Sequence, residues 1–164
     1  MGVKKMINIF KKKPLLTLNA VAEGKAVSLL DVNDPTFSQK MVGEGIAIIQ
    51  KNGQFVAPCD GVITMIFPTK HAFGLMTDNQ VEILVHIGLD TVQVKGEGFT
   101  SHVSVNQRVK KGDLILEVDL NKIKELGYDT ITPIVICNSD SFSKISPVLS
   151  GIVKISDPII EIYE

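Results

Sequence analysis

An all-β fold, an antiparallel sandwich or barrel with one or two short helical turns, is what this sequence predicts. Three observations carry the prediction: short hydrophobic runs recur along the chain, Gly, Asn, Asp or Pro separates them, and helical periodicity surfaces in two places only. At 164 residues, 45% hydrophobic and 21% charged, the chain has the length of one domain and lies far from compositions that stay disordered. Folding at this size buries roughly 70% of the surface of the extended chain, so no disulfide staple is required.

The first periodic stretch opens the chain. Val3, Met6, Ile7 and Phe10 follow the i, i+3, i+4, i+7 rule with lysines on the opposite face, and Pro14 ends it. Residues 1–14 therefore read as a basic amphipathic helix ahead of a β domain at 15–164. Residues 1–13 hold five lysines and no acid, which leaves twelve bases against eighteen acids in the rest. A face of this kind suits peripheral contact with an anionic membrane surface. Strands follow at Leu15 to Ala22, Ala26 to Leu30, Ile46 to Gln50, Gln54 to Ala57, Val62 to Phe67, Ala72 to Met76, Val81 to Ile87, Val103 to Val105 and Leu114 to Val118. The turns between them carry Asn52-Gly53, Asp78-Asn79 and Gly112-Asp113. The second helical stretch, DLNKIKELGYD, puts Ile123 and Leu126 one turn apart, with Asp119 or Asn121 as N-cap and Gly127 as the C-terminal cap. Strands at Ile131 to Cys137 and Ile159 to Tyr163 complete the series. In DLILEVDL the apolar residues Leu114, Leu116, Val118 and Leu120 alternate as on a strand wet on one face. VEILVHIGL hardly alternates, so that strand is buried on both faces or lies beneath a binding surface.

Several functions are excluded. No apolar stretch approaches the ~20 residues that span a bilayer, and the N-terminus lacks the apolar core and cleavage site of a secretory leader, so a cytoplasmic protein is expected. Cys59 and Cys137 fit no metal or redox spacing and read as reduced core residues. Arg108 is the single arginine, a poor basis for nucleic-acid binding.

Sliding the chain by 44 residues aligns VKKGDLILEV, from Val109, with VKISDPIIEI, from Val153, with identities at Val, Lys, Asp, Ile and Glu. This pattern resembles the duplicated hybrid motif of biotinyl and lipoyl carriers and of several β-sandwich enzymes.

Of the three histidines, two stand where chemistry can occur. His86 sits within an apolar strand, and the Gly88 carbonyl two residues on can take one ring N–H and leave the other nitrogen free. His71 follows a Pro-containing turn, with the Thr69 hydroxyl two residues before it. If residues 78–80 form the hairpin turn between them, the two rings are approximate cross-strand neighbours. Such a pair supports a metal site, general acid and base catalysis, or phosphoryl transfer through a ring nitrogen. The metal lacks further ligands at recognisable spacing, and no Ser or Cys nucleophile stands at an elbow. His102 reads as a surface residue.

The segments HAFGL, VEILVHIGLDTVQVKGEGF, RVKKGDLI and TPIVI resemble the glucose-type IIA component of the bacterial phosphoenolpyruvate-dependent sugar phosphotransferase system, from about Asn19 to the C-terminus. The resemblance implies a monomeric β-sandwich without cofactor or metal, a phosphotransferase component with a phosphohistidine intermediate. It would take a phosphoryl group from the histidine-containing phosphocarrier protein, HPr, and pass it to a cysteine on the IIB domain of a sugar permease. His86 would carry the group on Nε2, with Nδ1 held by Gly88, while His71 stabilises it and Thr69 orients His71. Phe37, Val42, Phe67, Leu84 and Val92 would form an apolar ring for both partners, and Asp34 and Asp90 would meet basic groups at the rim. Two other classes are suggested by the duplicated motif: a biotinyl or lipoyl carrier, which needs a lysine at a hairpin tip in an EAMKM-like context that Lys110 and Lys111 in VKKGD lack, and a zinc metallohydrolase, which needs a further ligand set absent from the sequence.

Overall fold

Alternating apolar residues condense into short strands that are antiparallel throughout. The computed structural model describes residues 12–164, so the helix expected at residues 1–14 lies, but for its last three positions, outside the described residues. In chain order the elements are β1 (Leu16–Asn19), β2 (Gly24–Val27), α1 (Pro35–Ser38), β3 (Glu44–Gln50), β4 (Gln54–Val56), β5 (Gly61–Ile66), β6 (Ala72–Met76) and β7 (Glu82–His86). There follow β8 (Phe99–Ser101), β9 (Arg108–Val109), β10 (Leu114–Val118), α2 (Leu120–Glu125), β11 (Thr132–Ile136), β12 (Lys144–Pro147), β13 (Ile152–Val153) and β14 (Pro158–Tyr163).

One sheet runs β13-β2-β3-β11-β7-β6-β5-β9, and two three-stranded sheets, β1-β14-β12 and β4-β10-β8, complete the sandwich. The order is symmetric about the β11-β7 pair. Exchanging β11 with β7, β3 with β6, β2 with β5 and β13 with β9 reproduces the large sheet, and the small sheets exchange strand for strand. One copy of the motif is β4 to β10; the other is β1 to β3 joined to β11 to β14. The sequence repeat marks the equivalent edges. Lys110 N–H donates to Asp113 Oδ2 and Lys154 N–H to Asp157 Oδ2, both at 2.8 Å. In each turn the Asp N–H returns to the Lys carbonyl at 2.9 Å. The Lys and Asp shared by the two copies are thus the residues that close the same turn twice.

Burial follows the strand period of two. Ile83 and Val85 of β7, Ile134 and Ile136 of β11, and Ile46 and Ile48 of β3 point into the main core between the sheets. The intervening Leu84, Val135 and Ala47 face outward into a second cluster with Leu29, Val32, Phe37, Val42, Leu89 and Ile131. β7 is therefore covered on both faces, and its outer face underlies the functional site.

Five expectations change. The strand expected at Ala26 to Leu30 ends at Val27, because Ser28 caps Leu30 N–H and Leu29–Asp31 turns as a short 3-10 helix. Val103 to Val105 is not a strand; the chain pairs instead through Phe99–Ser101 against β10. Cys137 is exposed, just past the end of β11, whereas Cys59 is buried, with its thiol pushed up to about 12 by burial and the neighbouring Asp60. In β10 both Ile115 and Leu116 are fully buried, because a register shift between Leu114 and Leu116 breaks the alternation. The short α1, unforeseen, starts where Asp34 caps Thr36 N–H at 3.0 Å and Pro35 takes the first helical position. The second helix stands as read, capped by Asp119 on Lys122 N–H and followed by Gly127 at φ +89°.

Candidate active site

Two tight turns bring the imidazoles together. Between β5 and β6, Lys70 N–H returns to the Phe67 carbonyl at 2.7 Å, and Lys70 takes the left-handed conformation, φ +60°. This delivers His71 to the start of β6. Between β6 and β7 the expected hairpin turn closes with Gln80 N–H on the Thr77 carbonyl at 2.9 Å. The resulting register pairs Ala72 with His86, and Ile87 N–H donates to the His71 carbonyl at 2.7 Å. The two rings then meet edge to face, their centroids 5.0 Å apart.

Each ring has one nitrogen fixed. His86 Nδ1 lies 2.8 Å from the Gly88 carbonyl oxygen. A carbonyl can only accept, so Nδ1 carries the proton and Nε2 keeps its lone pair. His71 Nδ1 lies 2.6 Å from Thr69 Oγ1, a group that can donate or accept. Apolar rings brace both: Phe37 lies 5.1 Å from His86 and Phe67 lies 5.0 Å from His71, centroid to centroid. Asp34, Thr36, Phe37, Val42, Leu84, His86, Asp90, Thr91 and Val92 line one depression. Of the residues expected at the site, Phe67, Thr69 and His71 border it through the second ring, and Gly88 lies buried beneath. Thr36 and Thr91 were not foreseen; the Asp34-Pro35 capping pair was the signal for the first.

Both imidazoles are held neutral. Burial pushes His71 from 6.5 down to about 4, with His86 adding to the shift. Burial also lowers His86, opposed by the Gly88 hydrogen bond and by the charges of Asp34 and Asp90. His71 is only 3% exposed, so its shift bears on stability. Between pH 6.5 and about 4 the unfolded state binds the proton and the folded state does not. Stability is therefore complete above that window and falls through it as the pH drops, by on the order of 3 kcal/mol. Urea unfolding of wild type against His71→Gln checks this; the variant should show a shallower acid slope, and equal slopes would contradict the assignment.

Neither other class gains support. Among the described residues no three His, Cys, Asp or Glu side chains stand close enough to share a metal ion. Lys110 and Lys111 belong to the turn that Asp113 closes, and their backbone N–H groups are engaged by Asp113 and Asp60. His102 pairs with Glu117 at 3.1 Å on the surface, as expected of it.

The sequence model of a family described as "phosphoenolpyruvate-dependent sugar phosphotransferase system, EIIA 1" matches residues 16–142. The glucose-specific EIIA component of Oceanobacillus iheyensis is 42% identical over 143 residues, 87% of each chain. The glucosamine-specific EIICBA component of Bacillus subtilis is 53% identical over 117 residues, 71% of this chain but 18% of that one. The chain thus spans under a fifth of that larger relative's length. The solved structure of glucose permease IIA from Mycoplasma capricolum superposes with a TM-score of 0.80 at 38% identity, covering 92% of this chain and 96% of the other. With the site's two imidazoles on a matching sandwich, the chain belongs to the EIIA family of the phosphoenolpyruvate-dependent sugar phosphotransferase system.

Proposed function

We propose that this chain carries a phosphoryl group on His86 Nε2, accepting it from the phosphocarrier HPr and passing it to the cysteine of a permease IIB domain. The observation that supports the reading best is the committed Nδ1: a neutral imidazole whose one proton is bound to the Gly88 carbonyl offers the Nε2 lone pair as nucleophile. That pair attacks phosphorus as the donor's N–P bond breaks and returns its electron pair to the donor ring. The product on His86 is a phosphoimidazolium. Its positive charge is favoured by Gly88 and by Asp34 and Asp90, the groups that favour a charged ring in the free site. When a cysteine thiolate attacks next, the N–P bond breaks and the leaving group is a neutral ring.

The apolar surroundings, Phe37, Val42, Phe67, Leu84 and Val92, exclude water when a partner docks, so the group moves between proteins and is not lost to hydrolysis. Asp34 and Asp90 attract basic partners and raise the rate of encounter. His71, neutral and edge-on to His86, donates to the phosphoryl oxygens, oriented by Thr69. In this role the chain works as a cytoplasmic monomer. Incubation with phosphoenolpyruvate, the first enzyme of the system and HPr should add the mass of one phosphate, lost in acid and kept in alkali. No adduct, or an acid-stable one, would contradict the reading.

We further propose that residues 1–14 are a membrane-surface segment separate from the β domain at 15–164. Its lysines would contribute about 1 kcal/mol each near an anionic bilayer. Removing it should leave acceptance from soluble HPr intact and weaken sedimentation with anionic vesicles. Equal sedimentation of the full-length and shortened chains would dismiss the segment as an anchor.

A further inference from the structure

Gly88 joins two peptide planes, and every hydrogen-bonding group of both has a partner in the fold. In the first plane the Thr91 hydroxyl donates to the Ile87 carbonyl at 2.5 Å, and Gly88 N–H donates to the Ile131 carbonyl at 3.0 Å. In the second, Leu89 N–H donates to the Asp129 carbonyl at 2.9 Å, and the Gly88 carbonyl accepts His86 Nδ1 at 2.8 Å. A trans peptide is flat, with its N–H and C=O pointing in opposite directions. Whatever fixes Leu89 N–H therefore fixes the aim of the Gly88 carbonyl. The same hydrogen bond polarises the amide and strengthens that carbonyl as an acceptor.

Asp129 holds this arrangement with its side chain. Its carboxylate accepts Ile131 N–H at 2.9 Å, which shapes residues 129–131 so that the carbonyls of Asp129 and Ile131 both face the Gly88 planes. The carboxylate is itself exposed and adds nothing to the core. Thr91, fully buried, secures the first plane. The fit leaves no space for a side chain at Gly88: at its φ of +78° a Cβ would meet Thr91 Cγ2 at 2.5 Å and the Asp129 carbonyl oxygen at 2.8 Å.

We propose that Asp129 and Thr91 are positioning residues that act through the Gly88 carbonyl to set the tautomer of His86, and so its readiness to take up and release the phosphoryl group. The proposal rests on the reading of His86 as the acceptor and reaches residues that touch none of the reacting atoms. The full chain labelled with [15N]histidine tests it. In wild type, above neutral pH, His86 should show one protonated nitrogen, Nδ1, and one bare nitrogen, Nε2, as well-separated resonances.

In Asp129→Ala the two resonances should converge as the Nε2–H tautomer gains population, and the rate of acceptance from HPr should fall about fivefold, the equivalent of one net hydrogen bond. Asp129→Asn, whose amide oxygen can still accept Ile131 N–H, should restore both readouts. Thr91→Val should move the resonances in the same direction, with Thr91→Ser restoring them. A purely structural role would lower the melting temperature and leave the resonances in place. A shift in either Asp129→Ala or Thr91→Val supports the clamp; resonances unmoved in both overturn it. If the ring responds while wild type takes no phosphoryl group on His86, the clamp stands and the assignment of His86 as acceptor falls.

Discussion

His86→Ala is expected to take up no label from [32P]phosphoenolpyruvate in the presence of the first enzyme and HPr, while the wild-type chain is labelled to one phosphate per molecule. The loss should be complete because no other group in the depression combines a free lone pair with a fixed tautomer. His71 borders the depression at His86's edge but is only 3% exposed, and in the proposed role it offers an N–H to the phosphoryl oxygens, not a lone pair to phosphorus. The substitution removes a half-buried ring and its bond to Gly88, a loss of about 1 kcal/mol from the hydrogen bond, so the fold should persist. A folded His86→Ala chain that labels fully would transfer the acceptor role to another residue.

His71→Gln separates acceptance from release. The glutamine amide still offers an N–H toward the phosphoryl oxygens, so labelling from HPr should proceed. Transfer onward to the IIB cysteine should slow by about 100-fold or more, the range over which a positioned acid or base contributes. As the group moves toward the sulfur, His71 keeps its Nε2–H on the phosphoryl oxygens while Nδ1, beside the Thr69 hydroxyl, can take up a proton; an amide can do only the first. His71 is held neutral for this task, with its own proton affinity depressed by burial and by His86. Onward transfer at the wild-type rate would remove His71 from the mechanism and leave it as packing for His86 and Phe67.

The parts of the site that were legible in the sequence are local ones. Thr69 with His71 and His86 with Gly88 are both spaced by two residues, and each spacing becomes a hydrogen bond, at 2.6 and 2.8 Å. The facing of the two rings followed from counting out from the turn at residues 78–80, because an antiparallel hairpin fixes its register at the turn. β6 and β10 fall on their expected bounds for a related reason: both are runs bounded by clear turn residues. What stayed hidden depends on distant partners. β9 and β13 are two residues long and exist only because β5 and β2 offer an edge to pair with. The 44-residue repeat marked their turns without saying where in the sheet they would lie. Asp129 sits 41 positions beyond Gly88, just past the Gly127 cap that ends the second helical stretch, and nothing in GYDTIT announces that its carbonyl will steer a histidine.

The central claim, that the phosphoryl group travels on Nε2 of His86, can be read directly by 31P and 15N magnetic resonance. The full chain labelled with [15N]histidine is phosphorylated through HPr and held in alkali, and the nitrogen coupled to phosphorus is identified on the assigned ring. The account predicts coupling to His86 Nε2, with Nδ1 still protonated and hydrogen-bonded to the Gly88 carbonyl. Coupling to Nδ1 of His86, or to either nitrogen of His71, would contradict it.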